Sequence, residues 1–449
     1  MRKLFTIIGL FLLGPVIASD SSWKKYPYQD PASSIIFPKD EGSHKMIPNL
    51  EWWYTVIHAT SEETGDHYSI LVTHFNNHFR FFTITNLDKK IHLSGTTMGL
   101  LESSAGALDL KHKTKFGTDI YRSRRDERNQ LIPFEYEIKT HHQRMNLDVA
   151  LTALKKPLMV KGSGDMDVGS SGHTWYYSLT RLGVKGTIEV DGHKEKINGE
   201  AWMDHQWGPF LVSPVSLGNL FESYEWFCLQ LDDGSEFMLS NIFDRNFNLP
   251  ENDKYGGVEV MSPEGVSKHT TKRKFTRLGY WQDPVSGHYM SMGWRLEVPE
   301  WEVDLTLIPN FLEQMVHIPF NGDFWEGSIQ VSGNIAGRSV RGNAFGELIH
   351  RYQVPQIEIE KWQTDAEQKG IELSWKLKNP DAGNPLTYQV ELIYQQKTWL
   401  LAKDLKERKG HFILPKTFNF LGKQKIEIKV TGSSLDGTLV GQVQKFISL

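Results

Sequence analysis

GEAWMDHQWG, residues Gly199–Gly208, is the stretch on which the reading of this chain turns. It gathers Glu200, Trp202, Asp204, His205 and Trp207 into eight residues where the surrounding pattern is that of a β-strand. Side chains alternate along a strand, so Glu200, Trp202 and Asp204 share one face and Ala201 and Met203 take the other. Upstream, TWYYSLTRLGVKGTIEV (Thr174–Val190) leads through a turn at Asp191-Gly192 into this stretch. There His173 and Trp175 are again two apart, hence on one face. In a closed barrel the alternation sets an indole beside a carboxylate, turned either to solvent or to the interior. Residue chemistry therefore nominates Asp204, Trp202, His173 and Trp175. The alternative makes the tryptophans core residues and Asp204 a turn-forming or capping group.

Working outward, short alternating runs predict strands at Glu51–Ala59, Tyr68–Phe75, Phe79–Asn86, around Met98–Leu101, and at Phe134–Thr140 and Met145–Leu151. Two further strands are expected at Tyr176–Thr180 and Gly186–Val190, before Gly199–Asp204. Tyr121–Asn129, YRSRRDERN, reads as a solvated loop. Adjacent Trp52 and Trp53 should point to opposite faces and serve mainly in packing. Downstream the pattern returns. Glu225-Trp226-Phe227 echoes Glu51-Trp52-Trp53, and Val303–Leu307 echoes Leu147–Leu151. Asp323-Phe324-Trp325 then echoes His173-Thr174-Trp175, and Gly342–Glu347 echoes Gly199–Asp204. The order is kept, which suggests a duplicated barrel with Glu51/Glu225 and Asp204/Glu347 at corresponding positions. After Tyr352 the texture changes to strands at Ile371–Lys378, Leu386–Tyr394, His411–Lys416, Gln424–Thr431 and Val440–Ser448, a spacing that suggests an immunoglobulin-like sandwich.

The fold class expected is all-β. Residues 20–48 form a lead-in segment, 49–215 a first barrel, 216–352 a second, and 353–449 the C-terminal β-sandwich. Residues 1–19 carry Arg2 and Lys3, then an apolar run and a small-residue cleavage site, and read as an export signal. The mature protein is then periplasmic or secreted, and no later stretch approaches the ~20 apolar residues of a spanning helix. The 449 residues carry a formal charge of −4, which gives no reason to expect a nucleic-acid partner. Cys228 is the single cysteine, so no intrachain disulfide forms, and its strand context makes it a buried packing residue.

The 17 histidines show no metal-binding spacing. His74 and His78 flank a hairpin signal at Asn76-Asn77, and Asp165-Met166-Asp167 lacks the further ligands of a calcium loop. Neither a phosphate-cradling glycine loop nor a G-x-S-x-G elbow is present, and Gly169–Gly172 reads as a turn. Neither a metal nor a cofactor is expected.

The words EWWY (Glu51–Tyr54), YYSLTRL (Tyr176–Leu182), GTIEVDG (Gly186–Gly192), GEAWMDHQWG and GNAFGELIHRY (Gly342–Tyr352) together resemble one family. It is the lipocalin-like family of exported proteins that includes AttH-type proteins and carotenoid 1,2-hydratases, and the resemblance spans residues 30–352. It implies two consecutive lipocalin-like barrels, with an apolar ligand held inside a barrel or at its mouth. Its members include hydratases of isoprenoid double bonds, pericyclase-like fungal enzymes and exported proteins described as hydrolases. In the hydratases the proposed acid is the aspartate of an aromatic-x-Asp word, which falls on Asp204, and a His-x-Trp pair falls on His173 and Trp175. The aromatic before the acid is tyrosine in those enzymes and Trp202 here. The resemblance thus implies a hydratase-like lyase acting on a hydrophobic, isoprenoid-like or lipidic small molecule. Asp204 would donate the proton, the Trp202 face would stabilise a cation, and His173 would orient water. Trp175, Tyr177, Glu200 and Trp207 would bind the ligand. Two alternatives stay open: a non-catalytic carrier, and an interaction protein that meets an envelope partner through its C-terminal domain.

Overall fold

The computed structural model describes residues 21–168, 172–209, 223–250, 255–318, 322–379, 383–418 and 424–448. The export signal expected at 1–19, the turn at 169–171 and the domain boundary expected at 215/216 lie outside the described residues. Among those residues there is no α-helix, only single 3-10 turns at Val160–Gly162 and Pro299–Trp301.

In the first unit, β1 (Tyr28–Gln29) and β2 (Ile36–Phe37) form a small pair. A meander follows: β3 (Leu50–Ser61), β4 (His67–Phe75), β5 (Phe79–Asn86), β6 (Ile91–Ser103), β7 (Asp109–Thr114), β8 (Gly117–Arg125), β9 (Leu131–His142) and β10 (Met145–Ala153). After the short β11 (Leu158–Met159) and β12 (Asp165–Asp167) come the long hairpin strands β13 (His173–Val190) and β14 (His193–Gly208). β14 pairs with β3, and β13 pairs with both β14 and β10, closing a barrel of ten strands. Asp191 and Gly192 both take positive φ, 52° and 81°, the conformation a two-residue hairpin turn requires. The two strands expected at Tyr176–Thr180 and Gly186–Val190 are one continuous strand. The expected loop at Tyr121–Asn129 is strand as far as Arg125. Tyr121 and Ser123 point inward while Arg122 and Arg124 reach Glu137 and Glu135 outside, so charged residues masked a true alternation.

The second unit holds β15 (Ser223–Leu231), β16 (Glu236–Phe243), β17 (Gly257–Met261), β18 (Ser267–Thr270), β19 (Lys274–Gln282), β20 (Tyr289–Val298), β21 (Val303–Pro309), β22 (Met315–Val316), β23 (Phe324–Ile335) and β24 (Arg338–Leu348). Its order, β18-β17-β16-β15-β24-β23-β21-β20-β19, repeats β6-β5-β4-β3-β14-β13-β10-β9-β8, and β22 sits on β23 as β11 sits on β13. The duplication is real at the level of topology. The closed second barrel is not: no counterpart of β7 is present, because only residues 271–273 separate β18 from β19, and the sheet remains a half-barrel. The registers refine the expected correspondence. Glu51 pairs with Trp207 and Tyr54 with Asp204, whereas Glu225 pairs with Leu348 and Cys228 with Phe345. If the two glutamates correspond, Asp204 matches Phe345, and Glu347 lies two residues farther along the same face.

The C-terminal unit contains β25 (Ile357–Asp365), β26 (Gly370–Leu377), β27 (Leu386–Tyr394), β28 (Lys397–Leu405), β29 (Lys409–Ile413), β30 (Lys425–Ser434) and β31 (Val440–Ser448). Sheets β25-β26-β29 and β28-β27-β30-β31 enclose a core that includes Ile371, Trp375, Val390 and Ile428, the sandwich expected.

The lead-in segment is more than an approach to the barrel. Trp23, Ile35 and Phe37 are buried with Phe134 and Tyr177, so this segment stoppers one end of the barrel's apolar interior. The second unit's interior holds a fixed ion pair: Arg277 Nη2 donates to Glu225 Oε2 at 2.5 Å, both side chains buried. Ser291 and Tyr352 also donate to Glu225, at 2.6 and 2.7 Å. Arg277→Met should therefore cost roughly 3–5 kcal/mol, since it strands a buried carboxylate. Urea denaturation of that variant, beside the double variant with Glu225→Leu, should show much of the loss recovered in the double.

Candidate functional site

The second half of β14, Ala201–Gly208, is buried on both faces, which a barrel strand with a solvated exterior is not. Ala201, Met203, His205 and Trp207 point into the barrel. Trp202 and Asp204 point outward, onto the outer face of the second unit's sheet. There Tyr54, Val56 and Tyr176 meet Trp226, Cys228, Met238 and Phe345 in one apolar layer. A polar clamp fixes one margin. Arg181 donates to Glu200 and to Glu236 of the second unit, at 2.5 Å each, and Lys155 reaches Glu236 at 2.7 Å.

Within this layer lies a cavity of about 80 Å³, walled by Trp52, Trp226, Met166, Met238 and Ile242 and reached by Asp204, Tyr176, Tyr224 and Glu347. Asp204 Oδ1 accepts from Ser178 Oγ at 2.5 Å and from Trp202 Nε1 at 2.6 Å, and Oδ2 accepts from Tyr176 Oη at 2.6 Å. Glu347 accepts from Tyr224 Oη at 2.7 Å, and its neighbour Glu326 accepts from Tyr54 Oη of the first unit at 2.9 Å. Among the described residues no lysine or arginine pairs with any of these three carboxyls. Burial drives the Asp204 pKa up to about 7 against the pull of its three donors. Burial, with Asp204 nearby, raises Glu347 to about 7. Burial and the adjacent Glu347 raise Glu326 well above the usual carboxylate range. All three carboxyls are thus biased toward the protonated form, in which each can donate as well as accept.

The residues nominated from sequence divide between the two faces. Trp202 and Asp204 come together as expected, and Glu200 shares their face but lies at the margin, tied to Arg181. Trp175, Tyr177 and Trp207 belong to the barrel interior, where Trp175 stacks toward Trp207 at 6.4 Å. His173 lies at the start of β13, paired with Asp165 and Asp167 at 3.1 and 3.4 Å. On β13 the cause of the split is a β-bulge between Leu179 and Leu182, whereas Trp207, three residues past Asp204 on β14, faces inward by alternation alone. Counted back uninterrupted from Asp191-Gly192, the hairpin would set Leu179 opposite Asp204 and put His173 and Trp175 on its face. The extra residue sets Ser178 there instead, and one residue of slip exchanges the faces. Among the residues that the sequence reading missed, Tyr176, Trp52, Tyr224, Trp226 and Glu347 line the cavity and Ser178 donates to Asp204. The Y-Y-S, E-W-W and E-W-F words contained four of them, but which half of Tyr176-Tyr177 faced Asp204 depended on the bulge.

This duplicated β architecture, with an acid buried between its halves, fits the sequence relationship found by comparison. The chain belongs to the AttH-like family, whose profile matches residues 28–352. Two solved structures share the fold. An AttH-type protein from Nitrosomonas europaea is 18% identical with a TM-score of 0.55, over 71% of this chain and 98% of that one. Kievitone hydratase from Nectria haematococca is 19% identical with a TM-score of 0.55, over 67% of this chain and 88% of its own. No curated protein matches in sequence.

A group whose pKa is higher folded than unfolded stabilises the fold fully below its unfolded pKa, about 4 for a carboxyl, and loses that contribution as pH rises toward its folded value. For Asp204 the window runs from about pH 4 to about 7. Asp204→Asn carries no ionisable group, so its stability relative to wild type should improve by roughly 2–4 kcal/mol across that window. Denaturant titrations of both proteins at the two ends of the window measure this difference.

Proposed function

We propose that the chain is a hydratase-type lyase that adds water across a carbon–carbon double bond of a hydrophobic, isoprenoid-like or lipidic small molecule, and that it works outside the cytoplasm after export directed by residues 1–19. The observation that carries this reading is a carboxyl poised near neutrality, Asp204, at the wall of an apolar cavity lined by indoles. Membership of the AttH-like family and the fold shared with kievitone hydratase support it.

In the proposed reaction the Asp204 proton passes to one alkene carbon, leaving a carboxylate and a carbocation on the adjacent carbon. The faces of Trp52 and Trp226 stabilise that cation. A water molecule forms the new C–O bond and gives its proton to Glu347 in its carboxylate form. Transfer of that proton through solvent back to Asp204 resets the pair. Two carboxyls with folded values near neutrality suit such an exchange. Tyr176, Ser178 and Trp202 hold the Asp204 carboxyl in place and stabilise the carboxylate left after proton transfer. A simple carrier gains nothing from burying two carboxyls in its ligand cavity, so the enzyme reading is favoured over carriage.

The test is turnover of prenyl-bearing and isoprenoid alkenes in isotopically labelled water, read by mass spectrometry of the product. Asp204→Asn should lower turnover by roughly 10²–10⁴ with folding and ligand binding retained. His173→Ala, at a residue that does not line the cavity, should change it by no more than a few-fold. Full activity in a folded Asp204→Asn protein would remove this residue from the mechanism.

A further inference from the structure

We propose that His44, Glu51 and His205 form a binding site for a divalent metal ion of the zinc class, at the stoppered end of the first barrel and on the opposite side of β14 from the cavity. The three side chains come from the lead-in segment, β3 and β14, so only the fold assembles them. His44 Nδ1 lies 2.7 Å and His205 Nε2 3.0 Å from the same oxygen, Glu51 Oε1. One donor atom from each residue falls within 4.8 Å of the other two. Two imidazoles and a carboxylate are a donor set that zinc uses, with bonds of about 2.0–2.2 Å, so a modest outward shift of the rings would admit the ion. The other nitrogen of His44 faces Asp40 Oδ1 at 3.4 Å, as a carboxylate that orients a metal-bound imidazole does. Both rings are already held in plane: His44 stacks on Trp207 at 4.0 Å and 1°, and His205 on Trp53 at 4.8 Å and 20°.

The duplication supplies an internal comparison. Glu225, the counterpart of Glu51, carries its own guanidinium, Arg277. The first barrel's other convergent set, His74, His112 and Asp119, likewise has a resident cation, because Arg80 Nε lies 3.1 Å from Asp119. Glu51 differs. Among the described residues its ion-pair partners are the two imidazoles, each able to give up a proton and offer a lone pair instead. A metal ion there would take the place that Arg277 occupies in the second unit. It would also bind the lead-in segment to the barrel mouth.

The full-length mature chain is stripped with chelator, desalted and titrated with zinc chloride, and in parallel with cobalt chloride. One equivalent of zinc per chain should survive desalting, raise Tm by several degrees and give an X-ray absorption spectrum with two imidazole ligands. His44→Gln and the isosteric Glu51→Gln should each lose the retained equivalent and the Tm rise. His173→Ala, which removes the exposed His173–Asp165–Asp167 set, should keep both. Wild-type protein that retains no zinc, or whose spectrum shows fewer than two imidazoles, overturns the proposal even if neither variant folds. Undiminished retention in a folded His44→Gln or Glu51→Gln protein overturns it as well.

Discussion

The contact of two sheets, outer face against outer face, is the constraint on which this molecule depends. A lone barrel offers its strands one dry side and one wet side. Here the second unit covers the exterior of β3, β13 and β14, so Trp202, Tyr176 and Tyr54 are as buried as the barrel core. Asp204 acquires its chemistry from that cover. On a solvated strand it would be an ordinary ionised carboxylate; between two apolar sheets the charge becomes expensive and the proton stays. The cavity thus belongs to neither unit.

Buried acids recur throughout the first two units, and the chain meets their cost in different ways. Glu225 and Asp119 face guanidinium groups. Glu41, at the stoppered end, accepts hydroxyls from Tyr26, Tyr136 and Ser123 at 2.7, 2.8 and 3.3 Å. The interface acids accept phenols and retain protons. The Arg277 guanidinium holds Glu225 ionised, at about 2, whereas burial among hydroxyl donors leaves Asp204 and Glu41 raised to about 7 and free to titrate. That contrast separates groups that can only hold the fold from groups that can also exchange a proton with a ligand.

Much of this was legible in the sequence. Period-two alternation located most strands, the Trp-Gly words gave the duplication, and Asp204 with Trp202 was recognised as a pair on one face. What failed was long-range geometry. The bulge at Leu179–Leu182 exchanges which half of Tyr176-Tyr177 faces Asp204, and nothing in the local residue pattern announces it. The loss of one strand between β18 and β19 opens the second barrel, although every strand that is present reads normally. His44, Glu51 and His205 meet across 161 positions of sequence (205 − 44), so no spacing rule could have joined them.

The missing strand leaves β19 at the margin of its sheet, with backbone groups that another chain could extend into a longer ribbon. The C-terminal sandwich intervenes there. Asp436, on the turn between β30 and β31, accepts the backbone N–H of Tyr280 at 2.8 Å, and Leu439 packs against Tyr280 and Tyr352. A carboxylate thereby takes the hydrogen bond that an incoming strand would need, and adds a negative charge where that strand would lie. The C-terminal domain thus covers part of the open margin of the half-barrel, with Asp436 standing where the backbone of a further strand would pair.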